Sequence, residues 1–220
     1  MLVFVVAATG LCGIALELIL VFMFQSLLGY VYSKAGLMLA LFMAGLALGA
    51  FKASLLMRKG ARAQWFSAMA ADFSLIGVAA CIPWLLVKVS SETVVWIPWG
   101  WIEAMIYALM AWTGAMVGAQ FALVNEIMSR MGCAEHCTPT DAGGLMPDEA
   151  ARRGWTAAIT NAADLAGAAA GGLAVGVFLL PLFGMASTCL LLAIVKLSSL
   201  LCLLAAYSMA HLLHFEKSTC

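Results

Sequence analysis

Residues 2–28 hold a single charged side chain, Glu17. At about 1.5 Å per residue such a run makes a helix of roughly 40 Å, longer than the ~30 Å hydrocarbon layer of a bilayer. A helix apolar on every side has no face to offer water, so it needs lipid or similar helices around it. Five further apolar runs follow, over residues 36–57, 65–87, 97–128, 155–180 and 186–213. The expected fold class is all-α: one integral membrane domain over 1–220, a bundle of about six transmembrane helices. Composition points the same way. Of the 220 residues 65% are hydrophobic and only 10% charged, where a soluble domain carries about 25%.

A cleavable signal peptide does not fit the first run. It lacks a basic leading segment, exceeds the usual apolar core of about 7–15 residues, and contains Glu17 and Gln25. Eleven basic and eleven acidic residues cancel, so no net field recruits nucleic acid. The expected partners are membrane lipid and other protein chains, with homo-oligomerisation left open. No glycine-rich phosphate loop, nucleophile elbow or H-E-x-x-H motif occurs, and no cofactor is evident.

Lysine and arginine orient the bundle. With the N-terminus inside, seven basic residues (Arg58, Lys59, Arg62, Arg130, Arg152, Arg153, Lys217) fall on the cytoplasmic side and two (Lys34, Lys88) outside. Trp96, Trp99 and Trp101 mark the outer interface. The expectation is a bacterial cytoplasmic (inner) membrane with both termini and the 129–154 loop inside. Within that loop Pro147-Asp148-Glu149 has the form of a helix start, proline first and acids in the first turn.

Hydrophobic burial cannot drive helix association in lipid, so close backbone packing through small residues must contribute. Gly45/Gly49, Gly114/Gly118 and Gly167/Gly171 are each spaced by four, which lines each pair along one helical face. Gly172/Gly176 follow the same spacing. The fifth helix, with no side chain larger than a methyl from Ala166 to Gly172, is expected to be the central, most enclosed one.

Charged groups at membrane depth cost about 2.5–3.5 kcal/mol each, so they mark interior positions. Glu17, Asp164 and Lys196 are placed near mid-membrane, with Asp72 and Glu103 shallower. Two readings compete. Lys196 pairs with Glu17 or Asp164 and locks helix register, or the acids bind a cation or relay protons, with Gln25, Asn125 and Asn161 as hydrogen-bonding neighbours. Separately, Cys133, His136 and Cys137 stand within five residues and are metal or redox candidates. Structural zinc wants four ligands, for which Asp141 or His214 would have to serve.

Several stretches resemble the transmembrane domain of membrane-bound spermidine synthase-like proteins. They are Gly13 through Glu17-Leu18 to Phe24-Gln25-Ser26-Leu27-Leu28-Gly29-Tyr30-Val31-Tyr32, and Phe42-Met43-Ala44-Gly45-Leu46-Ala47-Leu48-Gly49. Gly118-Ala119-Gln120-Phe121-Ala122-Leu123 is similar to that domain's glycine-x-glutamine-phenylalanine-proline-leucine stretch, with Ala122 for proline. Ala162-Ala163-Asp164-Leu165-Ala166-Gly167-Ala168 and Leu180-Pro181-Leu182-Phe183-Gly184 resemble its fifth helix, with Asn161 where tyrosine is usual. The resemblance implies a transporter-like membrane half, similar to half of a major facilitator. It transfers the scaffold and not the activity, since the family's soluble aminopropyltransferase half is not found in these residues.

The leading expectation is a non-catalytic membrane subunit or scaffold working beside a separately encoded partner. The alternatives are a transporter-like protein for a small cation such as a polyamine, using Glu17 and Asp164, and the membrane anchor of a quinone-linked electron-transfer complex.

Overall fold

The structure, a computed structural model, describes residues 1–29, 34–57, 60–90, 99–136 and 146–216, without the side chains of 61, 88–90, 99, 131–136, 146–153 and 211–216. The described elements are helices: α1 (Leu2–Leu28), α2 (Ala35–Leu56), α3 (Ala61–Ser90), α4 (Trp99–His136), α5 (Met146–Leu173) and α6 (Leu180–Glu216), with a π-helical segment Ala174–Leu179 joining the last two. No strand occurs among the described residues.

Among the described residues five continuous helices are long and apolar enough to cross a membrane, not six. The difference lies at the end of the chain, where Gly154–Ala210 is one run of 57 residues in place of separate helices over 155–180 and 186–213. A straight helix of that length would measure about 85 Å, nearly three times the hydrocarbon layer. The run is not straight. Gly184 has φ 73° and ψ 173°, a backbone conformation that a residue without Cβ adopts at little cost. The arms on either side of it lie along α1 in opposite directions. Gly167 and Gly171 of α5 meet Ala7 and Leu11 in rising order, whereas Leu192 and Lys196 of α6 meet Cys12 and Thr9 in falling order. Pro181 has no N–H to continue an α-helical ladder. Just before it the Leu180 N–H reaches back five residues to the Val175 carbonyl, the wider π-type spacing.

Other boundaries differ from expectation as well. α3 begins at Ala61, ahead of the expected 65. α4 continues to His136 and α5 starts at Met146, so much of the expected 129–154 loop is helical, with 137–145 outside the described residues.

The enclosed helix is α1 rather than α5. In the apolar stretch of α1, 61% of residues are buried, and it packs against α4, α5 and α6 and touches α2. Between Gly154 and Leu173 only Thr160, Gly167 and Gly171 are buried. Small side chains let a helix approach one neighbour closely. They do not surround it with neighbours, and enclosure needs several.

The approach itself is close. A Cβ placed on Gly45 or Gly49 would overlap the carbonyl oxygens of Ala111 and Ala115, and one on Gly114 or Gly118 those of Phe42 and Leu46. α2 and α4 therefore offer glycines to each other's backbone. On the other side of the bundle, Gly167 and Gly171 do the same against Ala7 and Leu11 of α1.

Candidate functional site

Two apolar clusters fill the interior. One gathers Cys12, Leu16, Leu75, Ile82, Ile106, Val117 and Leu192 among others; the second includes Val5, Val6, Trp65, Ala68, Leu123, Val124 and Leu203. In sequence, the positions between them on each helix are polar: Thr9 on α1, Asp72 on α3, Gln120 on α4, Lys196 and Ser199 on α6. All five are buried, none more than 1% exposed. A polar layer separates the two apolar halves.

Lys196 is its centre. The ammonium has three donors and no acceptor, and three acceptors converge on it: Asp72 Oδ1 at 2.7 Å, Gln120 Oε1 at 2.8 Å and Thr9 Oγ1 at 3.0 Å. The second carboxylate oxygen of Asp72 accepts from the Ser199 hydroxyl at 3.1 Å, and Thr9 donates onward to the Val5 carbonyl at 2.7 Å. Removing two charges from water costs several kcal/mol per ion, and in a dry interior only close pairing with further hydrogen bonds offsets it. This cluster supplies both. It also ties four helices at one depth, because a shift of any of them by one residue would strand a charge.

The partner of Lys196 is thus Asp72, not Glu17 or Asp164. Asp72 sits eleven residues into α3, counted from Ala61, about 16 Å along the helix. Glu17 is 9% exposed on α1 and Asp164 is half-buried on α5; neither forms an ion pair among the described residues. Asp164 packs against Gly10 of α1, and its Oδ1, shielded from solvent, has no hydrogen-bond partner among the described residues. The Gln120 Nε2 is likewise buried without an acceptor among them.

Other sequence candidates scatter. Gln25 and Asn161 are exposed on α1 and α5, away from the polar layer. Asn125 meets the Thr160 hydroxyl at 2.9 Å, linking α4 to α5. Glu103 accepts from Lys34 and from the Tyr107 hydroxyl, a separate ion pair at the N-terminal ends of α2 and α4. The side chains of Cys133 and His136 and the whole of Cys137 lie outside the described residues. Among the described residues no group of three or more His, Cys, Asp or Glu could hold a metal ion.

Gln120 and Thr9 were missed by sequence reasoning, although Gln120 lies inside the stretch quoted for the family resemblance. An uncharged polar residue inside a span carries a weak signal. Its depth relative to Lys196 was the one available clue.

Comparison with curated proteins finds polyamine aminopropyltransferase 2 of Streptomyces coelicolor, 31% identical over 194 residues. That alignment takes in 86% of this chain, which spans 30% of the relative's length. No protein-family profile matches the chain, and no solved structure does.

Proposed function

We propose that this chain is an integral membrane scaffold, a non-catalytic subunit that works beside a separately encoded partner. The observation that carries the reading is the sealed polar layer. Lys196 has all three donors engaged and no solvent exposure to speak of, an arrangement suited to fixing helix register rather than to handling a substrate. The similarity to a polyamine aminopropyltransferase supports a partner of that class, and the proposed orientation puts both termini in the cytoplasm. The seven-to-two division of basic residues supports that orientation.

The test is the composition of the complex extracted from native membranes in mild detergent. A stoichiometric co-purifying chain, an aminopropyltransferase foremost, supports the scaffold; a chain that emerges alone and moves a solute in vesicles overturns it.

A second reading, a transporter-like protein for a small cation such as a polyamine, draws support from one feature. Glu17 and Asp164 are carboxylates proposed to lie at membrane depth that form no ion pair among the described residues, where Asp72 has taken Lys196. Uptake of labelled polyamine into proteoliposomes, lost in Asp164→Asn, would favour it. The quinone-linked anchor rests on residues 133–137, whose side chains lie outside the described residues.

A further inference from the structure

α2 and α3 both lean on α4 but scarcely on each other. Between them runs a cleft of about 660 Å³, floored by Ala108, Ala111, Ala115 and Ala119 of α4. Its walls are small or apolar, with Leu48 and Leu56 on one side and Ala70 and Ala71 on the other. The Trp112 indole N–H donates to the Ser74 hydroxyl at 2.9 Å, so those two polar groups of the lining are satisfied within the protein. Among the described residues Lys52 is the one charged residue in the lining. It is exposed and forms no ion pair among the described residues.

We propose that this cleft binds one acyl chain of an anionic phospholipid, with the headgroup phosphate on Lys52. Three observations converge. The lining is apolar enough to exclude water, so within a bilayer hydrocarbon is what fills it. From Ala108 to Leu123, both in the lining, α4 rises about 22 Å, enough for a chain that crosses one leaflet of about 15 Å. The cation stands at one end, four residues before α2 stops at Leu56, where a headgroup meets the membrane surface. A phosphate ester, rather than a free carboxylate, is the anion that bilayers supply at that depth.

The proposal requires only that the chain be embedded in a membrane, which retention of the protein in membranes after alkaline washing checks separately. The protein is equilibrated with vesicles of equal parts phosphatidylglycerol and phosphatidylcholine, extracted in mild detergent and analysed by native mass spectrometry. Retention of one phosphatidylglycerol per chain, preferred over phosphatidylcholine by about fivefold as expected for one lysine at the surface, supports it. In Lys52→Gln a lipid stays bound but the preference disappears; in Ala70→Phe, which fills the cleft, the lipid is lost from folded protein. Lys52 is on the surface, so its variant decides the matter if Ala70→Phe does not fold. Absence of bound lipid in the parent, a preference that survives Lys52→Gln, or a co-purifying polypeptide that shields the cleft overturns the proposal.

Discussion

The α2–α4 interface and the Lys196 layer hold helices together by opposite means. At the first, glycines bring backbone against backbone, with Gly45, Gly49, Gly114 and Gly118 each meeting a carbonyl of the facing helix. The attraction there is dispersion over a close contact, spread along several turns and tolerant of small sliding. At the second, four helices meet through one ammonium and its acceptors, where a slide of one residue leaves a charge unpaired in a dry interior. The lesson is a division of labour. Small-residue seams set how near helices lie, and the polar layer sets their register.

The seam should prove the more fragile to added bulk. Gly49→Leu is expected to cost more than about 3 kcal/mol, because a rigid backbone carbonyl and not a flexible side chain stands in the way. Loss of the monodisperse species in detergent would be the sign; an unchanged melting temperature would remove the seam from the fold's essentials. Gly171→Leu, where a Cβ would sit 2.5 Å from the Leu11 carbonyl oxygen, should behave alike at the α1–α5 contact.

Breaking the polar layer from one side should come next. Lys196→Met strands Asp72 and is expected to cost about 3–5 kcal/mol. Lys196→Met combined with Asp72→Leu removes both charges and should recover most of that loss, measured as thermal stability in detergent. A double variant no more stable than the single one would mean that the two residues do not act as a pair.

Glu17 and Asp164, which form no ion pair among the described residues, sharpen the contrast. Glu17→Gln and Asp164→Asn keep size and hydrogen bonding, and each should change stability by less than about 1 kcal/mol, since neither belongs to the Lys196 cluster. A drop as large as that of Lys196→Met would place the residue inside the layer. Retained stability with lost activity of the native complex would instead mark it as functional. The smallest effect is expected at the exposed Gln25 and Asn161: replacement by leucine should stay within about 0.5 kcal/mol. A larger loss at Asn161 would reveal a partner covering that face of α5.

Helical class, helices long and apolar enough to cross a membrane, and the location of most of them follow from the sequence alone, because a run of apolar residues about 20 long has few alternatives. α1 ends at Leu28, where Gly29 takes a left-handed conformation with φ 77°, and the position of that glycine was visible in the chain. The glycine seams were legible too, since a spacing of four fixes a common face without any knowledge of the neighbour. The turn at Gly184 was legible as a break between two runs, though its neighbours stay helical up to the bend.

Which helix lies at the centre, and which acid meets Lys196, were decided by the tertiary structure. Helices apolar on all sides carry no polar stripe to show which way they face. Position along a helix can be counted from its end, and that is all the sequence offered for Lys196. Rotation about the axis and the order of neighbours arise only when all the helices pack at once. That joint packing turned Asp72 inward to Lys196 and left Glu17 and Asp164 outside the pair.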